Sequence, residues 1–287
     1  MQHHHLKHIA AIKDNSQILV LMTLINCFVL ANHILKGNIK HGIGYFVFFY
    51  VAVLAIYTFT NRVPPRHNIE VKEPKKELTI AILFACLGLV FLFLNFMLKA
   101  KAFPDKIFTK IPIGLGNLFF ATPFGIFIYL LLKRYKFMAL GFTTKPLLHI
   151  ALGICIWAIT GIIAYMCNPD GMLWSKAYKE MGGLLGIILQ GVIGAALFEE
   201  FNRFIIQSRF AGLFKTSGMG ILFATTIWAF MHFPVNYSKG CEVADIILYC
   251  VQIIPLGFVW GYLTERTKSI VPSIFAHGFN LWGLQNG

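Results

Sequence analysis

The 287-residue chain is 57% hydrophobic and only 13% charged, with a mean hydropathy of +0.69 and a formal net charge of +13. Charged residues alone make up about a quarter of a soluble globular domain, so the composition excludes that class and places the chain in a membrane. A nucleic-acid partner is not expected either, because it needs basic residues gathered on one folded surface, and here they are scattered through short loops.

Apolar runs cover 17–35, 43–59, 78–98, 111–132, 147–166, 183–198, 218–233, 244–263 and 270–286. Most approach the roughly 20 residues a helix needs to cross the hydrocarbon core. The expected fold class is therefore all-α, a polytopic membrane helix bundle of eight or nine transmembrane helices forming one domain, 1–287. The first run is too long for the core of a signal peptide and lacks a small-residue cleavage pattern, so it reads as a span. With nine crossings, sixteen of the 25 Lys and Arg fall on the side that holds the N-terminus, and the positive-inside rule makes that side cytoplasmic. Between the second and third runs, Asn61 to Glu77 is the only long charged segment, and its three prolines oppose regular helix. Residues 167–182 mix aromatic and charged side chains as an interfacial connector does.

Six cysteines are present without a CxxC pair, which excludes a zinc ribbon or a dithiol redox motif. Cys27, Cys86, Cys155 and Cys250 fall in spans and read as small packing residues. Cys167 and Cys241 share one side in the nine-crossing topology, with no motif that pairs them. His3-His4-His5 is too short to make a metal site.

The chemistry gathers in the last third. Glu199 and Glu200 end the run 183–198, and ionisable residues at membrane depth mark cavities, pathways or reactions. A continuous helix is expected from Leu184 to about Phe210, where Glu199 and Arg203 share a face at i and i+4. Arg203 would then hold one carboxylate ionised and leave the other as a base. His232 lies four residues after Trp228 and just before Phe233-Pro234, at an expected helix break. His277 and Asn280, at i and i+3, point the same way from the last helix, and Gly278 permits close helix approach. These groups are expected to meet in one water-accessible cavity opening toward the cytoplasmic half of the bilayer.

The order Glu199-Glu200, Arg203, His232, His277 with Asn280 resembles the CPBP family of intramembrane proteases, which includes the CAAX prenyl endopeptidases and bacteriocin-processing or immunity proteins. The resemblance covers residues 183–283. The family motifs are two Glu, three residues and Arg; Phe, three residues and His; and His followed four residues later by Asn. Here two residues separate Glu200 from Arg203, Trp228 replaces the Phe, and Leu281 takes the fourth position after His277. The resemblance implies an intramembrane endopeptidase with Glu199 or Glu200 as base and His232 as its partner. It also implies His277 and Asn280 as oxyanion-side donors, and Arg203 as the positioning charge. It further implies a peptide or protein substrate, lipidated or membrane-embedded, and a home in the plasma membrane of a bacterium. Two His and a Glu are compatible with a divalent metal such as zinc, but no His-Glu-x-x-His segment occurs and no cofactor is favoured. Two other readings stand beside this one. The first is a proton-coupled transporter, against which no inverted repeat is visible. The second is a non-catalytic scaffold or immunity protein of the same family.

Overall fold

In the computed structural model, residues 2–62, 69–100, 110–167 and 178–280 are described, with the side chains of 2–17, 96–120 and 164 left aside. They form ten helices: α1 Gln2–Leu35, α2 Ile39–Arg62, α3 Pro74–Ala100, α4 Lys110–Leu132, α5 Pro146–Cys167, α6 Gly183–Phe214, α7 Ser217–Phe230, α8 Phe233–Ser238, α9 Val243–Thr267 and α10 Val271–Asn280. A 3-10 turn, Phe137–Leu140, precedes α5. No strand occurs among the described residues. Among the described residues each of the nine apolar runs has its own helix, the last followed as far as Asn280, and six-residue α8 is the one helix that no run foretells.

Seven spans among the described residues are long and apolar enough to cross a membrane, the α7–α8 pair counting as one. The remaining two runs are α4, apolar over Ala121–Leu132, and ten-residue α10. The bundle turns apolar side chains outward and keeps its polar groups among the apolar residues of its core. Leu54 and Leu83 are 65% and 63% exposed, whereas Glu200, Arg203, Gln207, Arg209, Thr225, Ser273 and His277 are buried. A bilayer selects this arrangement, because lipid tails solvate leucine as well as a protein core does while polar groups need partners inside.

Cys167 and Cys241, which no motif pairs, are free thiols. Other sequence expectations change. The connector at 168–177 lies outside the described residues. The charged segment is shorter than it reads, because α2 continues to Arg62 and Pro74 opens α3, where a missing N–H costs nothing. That start puts Glu77 in the first turn of α3 and buries it. Arg209 Nε of α6 donates to Glu77 Oε2 at 3.0 Å and the Tyr135 hydroxyl donates to Glu77 Oε1 at 2.6 Å. Arg203 and Arg209, counted among the cytoplasmic loop cations, are thus interior residues of α6, and the positive bias rests on the remaining basic residues.

The packing brings three helices to one point. α6 lies against α7 and α3, α7 against α9, and α10 against α5 and the first half of α6. Thr264 and Ser273 share a hydrogen bond at 2.7 Å, and Ser273 Oγ donates to Trp260 O at 2.9 Å, which ties α10 to α9. The N-terminus of α10 is fixed by Ile270 N–H donating to Gly141 O at 2.9 Å.

Candidate active site

The α6 stretch just before the Glu pair, Ile188–Ala196, is π-helical. Its i→i+5 bonding widens the turn and resets the angular position of every later side chain. α10 lies on this stretch backbone to backbone: a Cβ at Gly278 would stand 2.7 Å from Val192 Cα. Only glycine permits that approach, and it is what brings His277 against the Glu pair.

The two carboxylates diverge. Glu200 is fully buried; it accepts from Arg203 Nη2 at one oxygen, and His277 Nδ1 donates to the other at 2.9 Å. Arg203 Nη1 also donates to Gly257 O at 3.1 Å. Glu199 is 28% exposed, and its Oε2 accepts from the Trp228 indole Nε1 at 2.7 Å. The same oxygen lies 3.7 Å from His277 Nε2. Of the two carboxylates that Arg203 could hold, it pairs with Glu200 at i,i+3, and not with Glu199, with which it shares a face at i,i+4. On a helix both spacings are within reach, and here Trp228 holds Glu199 while the Gly257 carbonyl draws the guanidinium toward α9.

His232 sits at the turn between α7 and α8, where Pro234 enters the new helix, as the expected break requires. Its Nδ1 lies 3.1 Å from Trp228 O. A carbonyl only accepts, so Nδ1 carries the hydrogen and Nε2 keeps its lone pair. The Trp228 ring meets His232 edge-on at 4.8 Å and His277 at 5.6 Å, while Trp260 stacks on the other face of His277 at 6.2 Å. Close approach again matters, because a Cβ at Gly257 would fall 2.6 Å from the Trp228 ring.

Glu199, Trp228, His232 and His277 line one cavity of about 210 Å³, room for several waters. Asn236, Lys239 and Tyr249 complete its polar wall, and Val235, Ile253 and Leu256 its apolar one. Asn280 is buried on α10, and the lining does not include it. The lining extends to exposed Lys239, in the connection between α7 and α9. Under the nine-crossing assignment that connection is on the outer side, so the expected cytoplasmic mouth is not met. The charge bias and the cavity's direction point to opposite faces.

A divalent metal would need three donors converging on one point. His277 and His232 each keep Nε2 open and Glu199 keeps Oε1, but among the described residues no three His, Cys, Asp or Glu side chains form a metal-holding group. The residues do not fit a metal centre as they stand.

Sequence reasoning noticed Trp228 as an aromatic neighbour of His232 but not as a donor, and it missed Asn236, Lys239 and Tyr249. Asn236 carried a signal, standing one turn after His232, to whose carbonyl it donates at 3.0 Å. Tyr249 carried a weaker one, a hydroxyl inside the apolar run 244–263.

Residues 181–282 match the family model of type II CAAX prenyl endopeptidase Rce1-like proteins. No curated protein and no solved structure matches the chain. The matched segment spans α6 from its start to α10, the helices that carry the paired glutamates and both histidines. The chain is a multi-pass integral membrane protein whose residues 181–282 are similar to the Rce1-like type of CAAX prenyl endopeptidase.

Proposed function

We propose that the protein is an intramembrane endopeptidase that hydrolyses a peptide bond with water activated by Glu199 and His232. The observation that carries this reading is that Glu199, His232 and His277, from three separate helices, face one cavity inside the bundle.

Glu199 is the base. Its Oε2 is held by Trp228, which leaves Oε1 for a water, and the His232 Nε2 lone pair accepts that water's other hydrogen. As the water oxygen attacks the scissile carbonyl carbon, one proton passes to Glu199 and the carbonyl π electrons move onto oxygen. Collapse of this tetrahedral intermediate breaks the C–N bond, and the proton held by Glu199 goes to the leaving amine. Glu200 and Arg203 do not touch the reacting atoms in this scheme. They are positioning residues, fixing the His277 ring through Nδ1 so that Nε2 faces the cavity. Holding such groups before the reaction starts is effective where water is largely excluded.

The substrate in this reading is a peptide or protein, lipidated or membrane-embedded, and the enzyme works in the plasma membrane of a bacterium. The family match over 181–282 supports the reaction class. The test is cleavage by detergent-purified protein of a panel of farnesylated and unprenylated peptides, with Glu199→Gln as the control. Cleavage that Glu199→Gln abolishes is the expected result. A wild type that cleaves nothing across the panel replaces this reading with that of a non-catalytic scaffold.

A further inference from the structure

Peptide hydrolysis needs hydrogen-bond donors at the point where the carbonyl oxygen becomes an anion. The wall of the cavity offers few. His277 has one nitrogen tied to Glu200, Trp228 gives its only N–H to Glu199, the Asn236 amide donates to His232 O, Lys239 stands at the exposed end, and Asn280 lies outside the lining. Tyr249, on α9, has a hydroxyl without such a commitment. It lines the same cavity as Glu199 and His232, with its ring 6.3 Å from the His232 imidazole and tilted against it. Its hydroxyl is within electrostatic reach of Glu199. Tyr50 and Tyr135 commit their hydroxyls to Thr23 and Glu77, and Tyr45 and Tyr129, whose hydroxyls have no such partner, do not line the cavity. Among the described residues no backbone or side-chain group takes the hydrogen of Tyr249. A half-buried phenol facing a polar cavity with its donor free is suited to an acceptor that arrives with the substrate.

We propose that Tyr249 is a catalytic residue whose phenolic O–H donates to the scissile carbonyl oxygen as it becomes anionic. This rests on the protease reading above. Tyr249 keeps its proton throughout: the water proton goes to Glu199 and then to the leaving amine, while the phenol stabilises the negative oxygen between the two steps. On this reading Glu199 and His232 approach the substrate carbonyl from one wall, and Tyr249 meets its oxygen from another.

The test uses the full-length protein in detergent and whichever farnesylated or unprenylated reporter peptide the wild type cleaves fastest. Tyr249→Phe keeps the ring and removes only the donor. It is expected to lower kcat by about 10²-fold or more with KM nearly unchanged, the pattern of an interaction made only in the transition state. A peptidyl phosphinate, which mimics the tetrahedral centre, should bind this variant more weakly by a similar factor. As a second variant, difluorotyrosine at position 249 keeps both ring and hydroxyl but ionises more readily. Its kcat should fall at a lower alkaline pH than that of the wild type, because a phenolate cannot donate. Wild-type kcat in Tyr249→Phe, or an unshifted alkaline limb with difluorotyrosine, overturns the role of Tyr249 while Glu199→Gln remains inactive. A wild type indistinguishable from Glu199→Gln overturns the protease reading, and the role of Tyr249 with it.

Discussion

α6 carries two buried acid–arginine pairs. Glu200 and Arg203 stand three residues apart on the helix; Glu77 and Arg209 come from α3 and α6, 132 residues apart in the chain. Side-chain exposure is at most 1% in both pairs. Yet only one of them belongs to a candidate reaction site, so burial of an ion pair does not make a site. The neighbours decide. Glu200 passes its orientation on to His277, whose far nitrogen faces a cavity. Glu77 ends instead on Tyr135, which receives the backbone N–H of Lys72 at 2.6 Å and closes the network on itself. One pair aims a group into a cavity, and the other bolts α3, α6 and the α4–α5 connection together.

The sharpest break in this comparison lies beside the first pair. Glu199→Gln should remove about 10²- to 10⁴-fold of kcat, the usual worth of a general base, while helicity by circular dichroism and the thermal midpoint stay near wild type. Equal activity in this variant would put the base elsewhere. Next come the pairs themselves. Truncating one partner of either, by Arg203→Ala or Arg209→Ala, leaves a buried charge and should cost about 3–5 kcal/mol of stability, read as a lower denaturation midpoint in detergent. Replacing both partners with apolar side chains separates the two pairs. Glu77→Leu with Arg209→Met should fold and keep its kcat, whereas Glu200→Leu with Arg203→Met should fold and lose it. If both double variants behaved alike in peptide cleavage, the contrast drawn between the pairs would fail.

A smaller effect is expected at Trp228. Phe there removes the donor to Glu199 and keeps most of the ring. A hydrogen bond to a charged group is worth about 1.5–3 kcal/mol, so kcat should fall roughly 10- to 100-fold, with the midpoint little changed. The smallest effect is one of pH. Burial, and then the hydrogen bond to Glu77, push the Tyr135 hydroxyl from 10.0 up to about 12. The neutral phenol is therefore favoured by the fold. Its contribution is fully present below pH 10 and is lost as pH rises through about 12. The thermal midpoint should decline across that window, and Tyr135→Phe should flatten the decline.

Nine of the ten helices among the described residues were legible in the sequence because a bilayer demands long apolar runs, and nothing else in the chain resembles them. The meeting of Glu199, His232 and His277 was legible for a related reason: charge is scarce in such a chain, and scarce groups tend to share a cavity. What stayed hidden depends on choices that composition does not record. Whether Arg203 reaches Glu199 or Glu200 is decided by Trp228 and by the Gly257 carbonyl, both on other helices. Glu77 read as part of a solvated loop because its partner Arg209 is remote in sequence. Asn280 shares a helix face with His277 by spacing, but the cavity ends before reaching it. The short α8 follows from Pro234, which forces a break without revealing what comes after it. The direction of the cavity, toward Lys239, depends on that unforeseen turn.

The π-helical stretch Ile188–Ala196 also makes α6 adjustable. A π turn holds more residues per revolution than an α turn, so removing one residue relaxes it to ordinary helix instead of breaking it. The residue removed is the one the wider turn had absorbed, so with the upstream half anchored by Gly278 on Val192 every side chain from Leu197 onward would keep its angular position, Glu199 at the cavity and Glu200 on Arg203. The same deletion in the ordinary helix at 197–198 would instead turn everything after it by about 100° and put Glu200 in the place of Glu199 and Phe204 in that of Arg203. The π stretch is therefore a buffer for helix length, one residue deep, just ahead of the residues whose direction matters most.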